Sequence, residues 1–166
     1  MGGSFLMELN TGYNLSAVFV ALFNKFYDTQ GQKQQNSGKE VEVWKRFLAL
    51  MTELKGHVTD ALSKGEKVIS LFPHRNLVDR VKLVAKELGR TDILSLVNTA
   101  YALESPQAAE SLTTRFDEEA TAAGQEINLR LTNMTRQEKE TGETHKIVSD
   151  MLKQESEFGK SILKKI

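Results

Sequence analysis

The sequence contains no cysteine. That excludes a disulfide framework, a thiolate nucleophile and a cysteine-bound zinc site. Charge of a single sign is also lacking: 22 basic side chains face 22 acidic ones. A nucleic-acid binder draws its affinity from a surplus of Lys and Arg, and none is present. The balance is local as well. Residues 1–105 carry 13 basic and 11 acidic groups, and residues 106–166 carry 9 and 11. Long apolar runs are scarce. The one candidate, Leu15 to Phe23, falls short of the ~20 residues a spanning helix needs. No Lys or Arg precedes it, so the positive region of a signal peptide is missing. Met1-Gly2-Gly3-Ser4 resembles a myristoylation start, but Leu6 stands where Ser or Thr is required. The expected location is the cytoplasm.

Only two prolines occur in 166 residues, and no stretch alternates apolar and polar side chains for long. Apolar residues instead recur at three- and four-residue steps. The fold class is therefore all-α, a bundle of four to five helices with a long C-terminal helix or helix pair. A composition of 40% apolar and 27% charged residues is that of a globular chain. Near 150 residues, about 70% of the unfolded surface is buried on folding, enough for a self-sufficient core.

The pattern predicts a first helix from Asn14 to about Tyr27, apolar almost all round, with Lys25 its only charge before Asp28. Such a helix normally occupies a bundle centre or lies in contact with lipid. A polar loop follows over 30–38, then a second helix from near Lys39 through Trp44, Met51, Leu54 and Val58 to a stop at Pro73, with Gly65 a weak point. A third helix opens at Asn76 and ends at Gly89, and a short fourth begins at Thr91-Asp92. Ser105-Pro106 is the clearest start signal, a cap followed by proline at the first helical position. From there the stripe Leu112, Phe116, Ala120, Ala123, Ile127, Leu131 and Met134 is narrow and part alanine. The expected organisation is a helical bundle core over 1–105. Residues 106–166 form a long C-terminal helix, breaking near Gly142, that packs on the bundle or forms a coiled-coil arm.

Motifs for chemistry are absent or incomplete. Glu53, His57 and Asp60 share a helical face, but a metal site needs further ligands from another helix. Di-iron bundles carry Glu-x-x-His on two helices, and neither copy is present. His74 and His145 read as solvated. Gly159-Lys160-Ser161 resembles the end of a phosphate-binding loop, but Gln154 replaces its first glycine and no strand precedes it. No catalytic residue, metal ligand or cofactor is expected, and the chain reads as a non-enzyme.

What remains are surfaces. Phe19, Phe23 and Phe26 on the first helix, with Lys160, Lys164 and Lys165 beside Ile162 and Leu163, are candidates to face a membrane or a partner. The stripe from Leu112 to Met134 is the candidate oligomer seam.

The order of elements resembles the HeLo-type four-helix domains, which open fungal incompatibility proteins and have relatives in mixed-lineage kinase-domain-like executioners and some plant resistance proteins. The likeness rests on the apolar opening helix with Ala17, Val18, Leu22, Phe23 and Asn24, on the long second helix, and on Ala61-Leu62-Ser63-Lys64-Gly65-Glu66-Lys67-Val68 before the next turn. A trailing segment is placed like a brace. Family members often carry cysteines in the second and third helices, and this chain departs from them there. The resemblance implies membrane targeting by the bundle after release of an inhibitory neighbour. The primary expectation is a non-enzymatic interaction or signalling module that binds a protein partner or itself, with no nucleic acid. The runner-up is a membrane-perturbing cell-death executioner recruited to an anionic surface.

Overall fold

The computed structural model describes the backbone over 3–99, 101 and 105–165, and the side chains from residue 17 onward within those ranges apart from residue 19. The chain is all-α. Helices α1 (Gly3–Ser63), α2 (Arg75–Glu87), α3 (Thr91–Thr99) and α4 (Pro106–Leu163) follow in order, with a 3-10 turn at Phe72–His74 before α2. No strand occurs among the described residues.

Two readings of the local sequence are corrected. The segment 30–38 is helical and continuous with its flanks, so the two opening helices are one. Between Gly31 and Gly38 stand Gln32, Lys33, Gln34 and Gln35. These are good helix formers that offset the ~1 kcal/mol cost of each glycine. Likewise α4 runs through Gly142 without a break. There Thr141 and Thr144 donate back to the carbonyls of Gln137 and Glu140, at 2.8 and 2.9 Å.

Helix ends follow local chemistry. Past α1, the N–H of Glu66 donates to Ala61 O (3.2 Å) and that of Gly65 to Leu62 O (3.0 Å), with Gly65 at φ +70°. This is a Schellman closure, and it ends the helix well before Pro73. The same pair of bonds closes α2, from Arg90 to Ala85 O and from Gly89 to Lys86 O, with Gly89 at φ +71°. At the start of α4, Ser105 Oγ accepts from the N–H of Ala108 at 3.2 Å, as the Ser-Pro signal requires.

The chain packs as two compact units, Ser37–Asn133 and the pair of segments Met1–Asn36 and Met134–Ile166. Each takes one part of α1 and one part of α4. The boundary expected at 105 coincides with the start of α4.

The Ser37–Asn133 unit holds nearly all of the core. Trp44, Phe47, Met51, Leu54 and Val58 of α1 are buried, as are Val78, Val81 and Ala85 of α2 and Ile93, Leu96 and Val97 of α3. Ala109, Leu112, Phe116, Ala123 and Ile127 of α4 are buried with them. Each large apolar side chain removed from water contributes about 1.5–3 kcal/mol. Arg90, just past α2, ties the turn to α4: its guanidinium forks onto Asp92 (2.6 and 2.9 Å) and reaches Glu119 at 2.7 Å. Lys55 of α1 pairs with Asp117 of α4.

In the second unit, Phe23 and Tyr27 of α1 meet His145 of α4, with ring centroids 6.1 and 5.6 Å away, and Val148 is buried. Over the described side chains from residue 17 to 27, α1 is not enclosed as a bundle centre would be. Val18 and Leu22 are 55% and 61% exposed. One neighbouring helix covers one face of an apolar helix and leaves the remainder in solvent.

Candidate functional site

The candidate residues divide between the two units. Of the proposed oligomer seam, Leu112, Phe116, Ala123 and Ile127 are buried within the Ser37–Asn133 unit. Ala120 and Met134 are half-buried and Leu131 is exposed. An alanine-containing stripe lets helices approach closely, and here the approach is intramolecular.

The other candidates lie in the Met1–Asn36 and Met134–Ile166 unit. Phe23 and Phe26 are half-buried, and both rings pack edge-on against Tyr27, at 4.6 and 6.2 Å. The side chain of Phe19 lies outside the described residues. Lys160, Lys164 and Lys165 are exposed. Around them α4 presents Ile147, Met151, Phe158, Ile162 and Leu163 to solvent, with Phe158 68% and Leu163 75% exposed. Ile147, Met151, Phe158 and Ile162 follow steps of four, seven and four, so they fall along one side of the helix. Sequence pattern identified these side chains as apolar. It could not show that they lack cover, because that depends on what else the chain packs beside them.

Among the described residues, the Ser37–Asn133 unit has recesses on its surface, two of which are notable. One, of about 270 Å³, lies between α1 and α2 over Ala49, Leu50, Leu83 and Val84, with Arg46, Glu53 and Arg80 at its edges. The other, of about 280 Å³, is polar and lies beside His57 and His74. Those two imidazoles stack face to face, with centroids 3.7 Å apart and planes 20° from parallel. Neither histidine gave a sign of this in the sequence, since the pairing depends on how the 64–71 connection folds back. Burial and the neighbouring His57 hold His74 below the ordinary imidazole value, against the opposing charge of Glu53. Glu53, His57 and Asp60 do share one side of α1. Among the described residues, however, no group of three or more His, Asp or Glu is placed to hold a metal ion.

Comparison of the chain with protein-family models, with curated proteins and with solved structures finds no match in any of the three.

Proposed function

We propose that the chain is a non-enzymatic helical module that works by self-association, through apolar side chains left in solvent by the Met1–Asn36 and Met134–Ile166 unit. The observation that carries this reading is the row Ile147, Met151, Phe158 and Ile162 on α4, all at least 44% exposed. Large apolar side chains gathered on one exposed helix face mark a surface where something binds. Spacing along one side of a helix suits another helix as the cover. A second copy supplies one, together with the exposed Val18 and Leu22 of its own α1. Sedimentation velocity over a concentration series tests the reading. Association that grows with concentration supports it, and a monomer throughout contradicts it.

A second reading is favoured by one observation. Lys160, Lys164 and Lys165 lie exposed beside Ile162 and Leu163, a basic and apolar helix end suited to an anionic bilayer surface. This is the behaviour that the HeLo-type resemblance implies. No helix among the described residues is long and apolar enough to cross a membrane, so the contact in this reading is interfacial. Dye release from anionic vesicles, reduced by Phe23→Glu in a variant that still folds, supports it. Vesicles that stay sealed contradict it.

A further inference from the structure

The polar recess of the Ser37–Asn133 unit is formed where the connection after α1 returns to that helix. Ile69 and Leu71 of the connection are buried. Ser70 Oγ donates to Tyr101 O at 2.8 Å and accepts from the N–H of Phe72 at 3.1 Å. These contacts set the Phe72–His74 turn against α1, and His74 then lies flat on His57. Two stacked imidazoles attract while at least one is neutral. When both carry a proton, two like charges face each other about 4 Å apart, partly shielded from water.

The surrounding charges do not cancel that repulsion. Glu53 on α1 favours the protonated form of His74. Asp60, also on α1, is paired with Lys64 at 2.6 Å, so its charge is matched locally. Glu66 lines the recess from the connection, and Arg75 follows His74 at the start of α2. Tyr101 lies beyond, stacked edge-on with Phe72 at 6.4 Å and capped by the Lys82 ammonium at 5.3 Å.

We propose that the His57–His74 stack is an acid-sensitive latch. It holds the Phe72–His74 end of the connection on α1 while one ring is neutral, and loosens that end when both rings are protonated. What it restrains is a segment that already presents Val68 and Phe72 to solvent, both more than 60% exposed. Opening therefore changes how an apolar pair is displayed without dismantling the helices on either side.

The direction in pH follows from His74. Burial and His57 depress its proton affinity in the closed form, so the open form binds the proton more readily. The latch is complete above the ordinary imidazole value, near pH 6.5, and is lost as pH falls from there through the depressed value of His74 in the closed form.

Hydrogen exchange of the 64–74 peptide at pH 7.5 and pH 5.5, corrected for intrinsic exchange rates, tests the latch. Wild type should lose protection there several-fold at the lower pH, while peptides over 109–127 of α4 keep theirs. His57→Phe retains a ring under His74 and removes one charge, leaving only burial to oppose the His74 proton, so its protection should fall clearly less than wild type's between the two values. The His74 imidazole resonance should titrate at higher pH in that variant. His57→Asn removes ring and charge together and should leave the peptide weakly protected at both values. Wild-type protection that does not change with pH, or an equal loss in His57→Phe, would overturn the proposal. A His57→Phe protein that lost protection over 109–127 as well would be misfolded, and the wild-type profile and the His57→Asn comparison would then decide.

Discussion

The guanidinium of Arg130 on α4 lies over the indole of Trp44 on α1, 5.6 Å from the ring centroid. The same side chain donates to Glu126 one turn back at 2.6 Å, and its Nε faces Glu40 of α1 at 3.3 Å. One residue thus fixes the register of the two long helices inside the Ser37–Asn133 unit by charge and by ring contact together. Trp44 is the only tryptophan in the chain and is buried, so its emission reports on the surroundings of this one ring, which also packs edge-on against Phe47 at 5.9 Å.

Arg130→Met should lower the stability of that unit by about 1–2 kcal/mol, the sum of a cation–π contact and partly exposed ion pairs. Urea unfolding followed by tryptophan fluorescence measures it. Arg130→Lys should recover only part of the loss, because an ammonium lacks the planar fork that serves the ring and both carboxylates at once.

Two glycines should respond in opposite directions to alanine. Gly89 has φ +71° and open space where a Cβ would sit, so only backbone strain opposes substitution. Gly89→Ala should cost about 1 kcal/mol or more. Gly124 lies inside α4, also with nothing near its Cβ position. Gly124→Ala should stabilise by up to about 1 kcal/mol through helix propensity. Thermal midpoints of the two variants should fall on either side of wild type.

These glycines also show what was legible in the sequence. The end of α2 at Gly89 and the start of α4 at Ser105-Pro106 were readable, because each depends on bonds within a few residues of itself. The junction over 30–38 was not. Two glycines, Asn36 and Ser37 suggest a loop, yet helix continuation is decided by the sum over a long window in which Gln and Lys count in favour. Periodicity marks the stripe from Leu112 to Met134 as apolar, and its Leu112, Phe116, Ala123 and Ile127 are buried. Whether its cover comes from the same chain or another copy is a tertiary question that periodicity leaves open. The His57–His74 contact had no local signal at all.

Asp92 accepts both bonds of the Arg90 fork, which holds its carboxyl below the usual carboxylate range. A depressed carboxylate contributes stability that is present above its unfolded value, near pH 4, and is lost as pH falls through the folded one. Asp92 is largely solvent-exposed, so the contribution is screened to at most about 1 kcal/mol. Arg90→Met should remove it, along with the Glu119 pair. Stability measured in urea should therefore differ between wild type and variant at pH 7, and the gap should narrow toward pH 3.

Phe116 and Phe158 sit on the same helix in opposite environments. Phe116 is fully buried and Phe158 is exposed. Phe116→Ala should cost about 3–5 kcal/mol, the transfer of the ring plus the cavity left behind. Phe158→Ala should leave the unfolding free energy within about 0.5 kcal/mol of wild type when both are measured as monomers.

The self-association proposal is tested most directly by sedimentation equilibrium on wild type, the double variant Ile147→Lys with Ile162→Lys, and the control Leu83→Lys. Leu83 is also strongly exposed but belongs to the Ser37–Asn133 unit. Wild type and the control should associate with similar constants, and the double variant should be weakened about tenfold or more, since each 1.4 kcal/mol of lost apolar contact is a factor of ten. A double variant that associates as strongly as wild type, or a wild type that stays monomeric at every concentration, would contradict it.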